Sequence, residues 1–259
     1  MADARRKILC ACENGDVPSL ETLFQELNIG PDHPPCDIQQ DENDPLPSVQ
    51  LMYSYACLGQ QLEALRFLCA KFPDVGFYSG PLTVAIDSGN AELLRFLCTQ
   101  RPGTEIGEIG EDSNILALGY AASKGHNELV KVLLEAGADP NEPPPYKLPG
   151  SWTLDAALIG NLPKSTFELF YDAGYNGCEN IWAPRFAVEK GRPDVLEVMF
   201  RRGRRLPFAD FPPEEELIEV ANEMKDPEMA AFIRRLYAKY FPREKGLISK
   251  IMGKFRFSR

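Results

Sequence analysis

A chain of 259 residues that is 44% apolar and 10% aromatic can bury a substantial core, which excludes an intrinsically disordered chain. The formal charge of -10 is unevenly spread: residues 1–200 carry 14 Lys/Arg against 29 Asp/Glu, whereas residues 201–259 carry 14 against 9. An acidic body with a basic end repels phosphate backbones over most of its surface, so nucleic acid is not an expected partner. The seven cysteines are odd in number and form no Cys-x-x-Cys, and most stand in apolar runs, so free thiols in a reducing compartment are expected. Apolar stretches reach only about eight residues, short of the ~20 that span a bilayer. Met1 to Lys7 is followed by no run fit for a signal peptide and no Asn-x-Ser/Thr occurs, so a cytoplasmic or nuclear location is expected.

Along the chain a small residue four positions ahead of a glycine, followed by a leucine-rich amphipathic run, recurs. The glycines are Gly15, Gly59, Gly89, Gly125, Gly160 and Gly191, at spacings of 44, 30, 36, 35 and 31. The residues four ahead are Ala11, Tyr55, Ala85, Ala121, Ala156 and Ala187, mostly small where neighbouring helices must approach closely. Each glycine is expected to end a first helix with positive φ. A second helix follows it, as in Leu93, Leu94, Phe96, Leu97 or Val195, Leu196, Val198, Met199, at the i, i+3, i+4 spacing of a helix buried on one face. The predicted units lie near 5–30, 46–73, 80–101, 114–139, 151–175 and 182–204. A capping pair without an anchoring glycine is predicted at 214–240, and a basic amphipathic tail at 241–259.

At Gly125-His-Asn-Glu-Leu-Val-Lys-Val-Leu-Leu-Glu-Ala-Gly-Ala-Asp-Pro-Asn141 the sequence resembles the ankyrin-repeat signature of second helix, glycine cap and turn. The resemblance implies an all-α fold, an ankyrin-repeat solenoid of about six to seven helix-turn-helix units with long inter-repeat loops. The Thr-Pro-Leu-His that opens a typical repeat is absent, and only Pro81-Leu82 is similar to it. Insertions are expected at 28–47, rich in proline and carboxylates, at 104–113, with Glu105, Glu108, Glu111 and Asp112, and at 140–149, with Pro143-Pro-Pro-Tyr146.

Enzymatic constellations are sparse. Only His33 and His126 exist, so no His-containing triad is apparent and no Gly-x-Ser-x-Gly occurs. His33 with Cys36 lacks a second ligand pair, and glutamates separate the glycines of Gly103 to Gly110, so no metal, nucleotide or other cofactor is expected. Arg201-Arg-Gly-Arg-Arg205 suits the C-terminus of a helix. The tail, with Leu247, Ile248, Ile251, Met252 and Phe255 at helical spacing, reads as a cap over the last repeat or as a surface for an acidic partner or an anionic membrane.

In ankyrin repeats the exposed side of the first helix and the loop tips face ligands. Counting five, two and one positions back from each glycine gives Val84, Asp87, Ser88; Tyr120, Ser123, Lys124; Asp155, Leu158, Ile159; and Phe186, Glu189, Lys190. The loops add Phe77, Tyr78, Tyr146, Trp152, Tyr175, Trp182 and Phe208, large contact area with few rotors. The favoured reading is a non-enzymatic interaction protein that binds a peptide or protein segment, with basic residues suited to the carboxylates, through Tyr78, Tyr120, Trp152, Asp155, Trp182 and Phe186. The alternative is a cofactor-independent enzyme acting on a small molecule, a cyclase, isomerase or lyase, with Asp155, Asp87 or Glu189 as general acid or base, Tyr120 assisting, in a pocket roofed by the long loops.

Overall fold

Two helices that fold back on each other need a turn with one left-handed residue, and this turn sets the register of every repeat. The computed structural model describes residues 2–31, 35–36, 46–77, 79–100, 116–144, 150–177, 182–203 and 211–241. Among these the regular elements are fourteen helices. The chain divides into two compact units, Met1–Tyr175 and Asn176–Arg259.

The first unit holds α1 (Ala2–Asn14), α2 (Val17–Glu26), α3 (Val49–Leu58), α4 (Leu62–Lys71), α5 (Ser79–Asp87), α6 (Ala91–Gln100), α7 (Ala117–Ser123), α8 (Asn127–Glu135), α9 (Thr153–Ile159) and α10 (Lys164–Asp172). They form five helix pairs, repeats 1 to 5. The first helices α1, α3, α5, α7 and α9 pack in succession in one layer, and α2 with α4, α6 with α8 and α8 with α10 in the other. The core lies between the layers: Ile8, Cys12, Leu20, Phe24, Met52, Leu65, Leu68, Ile86, Leu94, Val130, Leu133 and Phe167 are all buried. Burying each large apolar side chain contributes roughly 1.5–3 kcal/mol, so stacking rather than helix propensity holds the short helices. Polar capping fixes where they start: Ser48 Oγ accepts the Leu51 N–H at 3.2 Å, and Asn90 Oδ1 accepts those of Glu92 and Leu93 at 3.1 Å.

The turns show which residue is left-handed. In repeats 1, 3 and 4 it is Gly15, Gly89 and Gly125, as the glycine pattern predicts. In repeats 2 and 5 it is instead Gln60 (φ 56°) and Asn161 (φ 50°), one residue after the glycine, while Gly59 and Gly160 have helical φ of −75° and −74°. Gly59 and Gly160 are glycines for a different reason. A Cβ on Gly59 would lie 1.8 Å from the Glu13 carbonyl oxygen of the preceding repeat, and one on Gly160 would lie 1.9 Å from that of Ala122. The hydrogen bonds confirm the shifted register: the N–H of Gln61 donates to the Ala56 carbonyl (2.8 Å) and that of Leu162 to the Ala157 carbonyl (3.0 Å), as His126 donates to Ala121 (3.1 Å). The small residues of repeats 2 and 5 are therefore Ala56 and Ala157, not Tyr55 and Ala156.

The signature loop ties repeats together within this unit. Asp139 Oδ1 accepts the Asn141 N–H at 2.8 Å, and Asn141 Nδ2 donates to the Gly174 carbonyl at 3.1 Å. The acidic residues of the first two insertions all lie outside the described residues, as do Tyr146 and residues 204–210.

The second unit holds α11 (Ala183–Glu189), α12 (Pro193–Gly203), α13 (Glu214–Glu223) and α14 (Pro227–Tyr240). Its turns place Gly191 and Lys225 in the left-handed region. Lys225 is the residue at which the glycine search finds nothing. Phe200, fully buried, is ringed by Phe211 (4.7 Å), Tyr237 (5.0 Å) and Phe241 (5.8 Å), and the Tyr237 hydroxyl donates to the Pro212 carbonyl. Burial, with the carboxylates of Glu214 to Glu216, pushes the Tyr237 phenol up. The amphipathic tail from 242 onward lies outside the described residues.

Candidate functional site

With the left-handed residue as origin, the residue two before it forms an exposed row along the first-helix layer of the first unit. The row is Glu13, Leu58, Asp87, Ser123 and Ile159; Ser123 is half-buried, and Leu58 and Ile159 are 57% and 46% exposed. Five before it stand Cys10, Tyr55, Val84 and Tyr120, exposed or half-buried, and then the buried Ala156. Counting from glycine, the position two before it falls on Cys57 and Leu158, both buried, and Leu58 and Ile159 stand only one before it. An alanine, in Ala11, Ala56, Ala85, Ala121, Ala157, Ala187 and Ala221, stands four before every left-handed turn residue between paired helices; in repeat 2 Ala56 against Tyr55 marks the register, whereas in repeat 5 Ala156 and Ala157 fit both counts.

The charged centre of the row is a three-residue cluster bridging repeats 3 and 4. Tyr120 Oη donates to Asp87 Oδ1 at 2.7 Å, Lys124 Nζ lies 2.9 Å from the same oxygen, and the ammonium stands 4.9 Å from the Tyr120 ring centroid. Partial burial works against the ionised form of Asp87, but the hydrogen bonds from Lys124 and Tyr120 and the Lys124 charge outweigh it and hold the carboxyl below its ordinary value. The same contacts raise the Lys124 pKa. A carboxylate stabilised in this way is a weak base and is not a general acid near neutral pH.

The other sequence-predicted residues divide sharply. Asp155 has no exposed surface and accepts the Gly150 N–H at 3.1 Å, so it braces the start of α9 and presents no carboxylate to a ligand or substrate in this conformation. Its misplacement follows from the one-residue shift at Gly160. Trp152, at 4% exposure, is core rather than recognition surface. Phe77 is likewise buried, its ring 4.6 Å from Tyr53, in a loop held by Gln50 donating to the Gly76 carbonyl at 2.6 Å; Tyr175 is buried edge-on to Tyr171. Large loop aromatics here fill the gaps that short repeats leave. Tyr78, Tyr146 and Phe208 lie outside the described residues. Trp182, Phe186 and Glu189 belong to the second unit; both aromatics are half-buried, and Glu189 pairs with Arg185 at 2.9 Å.

An open cleft of about 520 Å³ lies in repeat 1, lined by Lys7, Cys10, Asn14, Asp16, Thr22 and Glu26 among others. Its carboxylates are at the surface, and Asp16 is occupied in capping α2 through Ser19 (3.1 Å). Among the described residues no cluster of His, Cys, Asp and Glu is fit to hold a metal ion.

Residues 54–143 match the family model described as ankyrin repeats, in three copies. These are ankyrin repeats. The ankyrin-repeat fold extends well beyond them: the chain superposes on the ankyrin repeat domain of Bcl-3, a member of the IkappaB protein family, with a TM-score of 0.61 at 21% identity, over 88% of this chain and 97% of that one. A complex of a predatory endopeptidase from Bdellovibrio bacteriovorus with an immunity protein matches over the same shares at 16% identity, with a TM-score of 0.45, too low to argue from. No curated protein sequence matches the chain.

Proposed function

We propose that this ankyrin-repeat protein is a non-catalytic interaction module that holds a peptide segment of a protein partner along the exposed row of its first-helix layer. The observation that carries this reading is the Tyr120–Asp87–Lys124 cluster, set on the exposed side of α5 and α7 in a row that also bears Leu58 and Ile159. Tyr55 and Tyr120 beside the row supply rigid contact area at little entropic cost. The reading keeps Tyr120 from the sequence-based set, adds Tyr55, Leu58, Asp87 and Ile159, and leaves Asp155 and Trp152 as buried support. We also propose a cytosolic or nuclear location, a reading that rests on an odd number of cysteines and no Cys-x-x-Cys in the sequence.

The test is a footprint. Peptides selected on the protein from a random displayed library are added to isotope-labelled protein, and amide shifts are mapped by NMR. The expected changes fall at residues 55–58, 84–88, 120–124 and 159, and Tyr120→Ala weakens binding about tenfold or more. Shifts confined to the second-helix layer, or a library that yields no binder, would defeat the proposal.

A further inference from the structure

Resting on that reading, we infer that the row is built for a segment in which one basic residue stands between two apolar ones, unequally spaced. The argument begins with Asp87. It accepts both Tyr120 Oη and Lys124 Nζ on Oδ1, and Oδ2 carries no bond among the described residues. Two donors on one oxygen fix the carboxylate in place and keep it ionised, and the Asp87 side chain is 46% exposed. A preorganised, charged acceptor of this kind suits a guanidinium or ammonium. Asp87 and Lys124 neutralise each other, so an incoming cation meets the surrounding charge, which over residues 1–175 is 25 Asp/Glu against 11 Lys/Arg. That field favours a basic ligand and disfavours an acidic one that would have to bind Lys124 instead.

The apolar ends come from the same row. Among the described residues of the first unit Leu58 and Ile159 are the two most exposed large apolar side chains, and both occupy the position that Asp87 occupies in repeat 3. Packed helices stand about 8–10 Å apart, so Leu58 lies one repeat step from Asp87 and Ile159 lies two steps away on the other side. An extended chain advances about 3.3 Å per residue, which places the basic residue about three positions from one apolar residue and about six from the other.

The probe is the set of peptides, each about 16 residues long so as to cover the row, selected on the full chain from a random linear library displayed on phage. The enriched sequences are expected to share this pattern, in either chain direction. Replacing the peptide's basic residue by methionine should weaken binding about fivefold or more, and that loss should vanish on Asp87→Asn protein. Leu58→Ser combined with Ile159→Ser should weaken binding about tenfold, with Leu27→Ser, an exposed leucine at the end of α2, leaving it unchanged. Should the double variant misfold, substituting the two apolar residues of the peptide tests the same contacts from the other side. Binders that lack the basic residue, or that tolerate loss of both apolar residues, overturn this inference and leave the peptide-binding reading standing. A library without binders overturns both.

Discussion

In the turn of repeat 4 the left-handed residue is Gly125 and the residue before it is Lys124, whose ammonium reaches Asp87. In the turn of repeat 5 the left-handed residue is Asn161 and the residue before it is Gly160, which has no side chain to offer. A helix-ending turn in a stacked repeat faces two demands: one residue must accept positive φ, and one must let the neighbouring backbone approach. Gly125 meets both, since a Cβ there would come within 2.9 Å of the Gly160 carbonyl oxygen. In repeats 2 and 5 the demands fall on consecutive residues, and every side chain of the first helix is read one position later than a glycine count suggests. Leu58 and Ile159 thereby take the position that Asp87 takes in repeat 3, and Asp155 falls six before the left-handed residue, where Leu9 and Gly119 are buried as well.

The largest expected effect breaks the close approach. Gly160→Ala and Gly59→Ala place a Cβ within 2 Å of a carbonyl oxygen, contacts that only backbone movement relieves, and each should lower unfolding free energy by about 2–4 kcal/mol in urea titrations. Gly137→Ala, where φ is +95° but nothing lies within 4 Å, should cost only about 1 kcal/mol. Equal losses at Gly160 and Gly137 would mean that the neighbouring backbone yields readily and that crowding does not explain the glycine at 160. A smaller effect sharpens the other half of the comparison. Lys225 takes the left-handed position in the last turn with φ of 58°, and Lys225→Gly should raise stability by roughly 0.5 kcal/mol, visible as a higher melting temperature. A destabilised Lys225→Gly would show that its side chain contributes more than the backbone strain costs.

The repeat architecture was legible because its signals are local: apolar residues at helical spacing, alanine at the close approach and the signature loop from Gly125 to Asn141. The second helices and the closing pair α13 and α14 fall where the periodicity puts them. The site was legible only in part. Asp87, Tyr120 and Lys124 come from repeats whose glycine is the left-handed residue, so the count placed them correctly. Cys57 and Asp155, which the count sets on the exposed face and the structure buries, come from repeats whose glycine answers to a neighbour about 40 residues away in sequence, a packing fact that residue type alone does not announce. Trp152 and Phe77 were misjudged for a related reason: a loop aromatic reads as exposed until the cavity it fills is known. Alanine marks the shift in repeat 2, where Ala56 follows Tyr55, and leaves it open in repeat 5, where Ala156 and Ala157 are adjacent.

Cys57 is a native reporter of that register. A glycine count sets it in the exposed row, whereas the structure buries it completely beside Ala56 and puts Leu58 at the surface, with Cys10 exposed on α1 as an internal standard. The measurement is a time course of maleimide labelling of the folded, unmodified chain, read by peptide mass spectrometry. Rapid modification of Cys10 with Cys57 protected until the protein is unfolded is the predicted result. Labelling of Cys57 at a rate like that of Cys10 in the folded protein would contradict the shifted register and, with it, the assignment of Leu58 to the position that Asp87 holds in repeat 3.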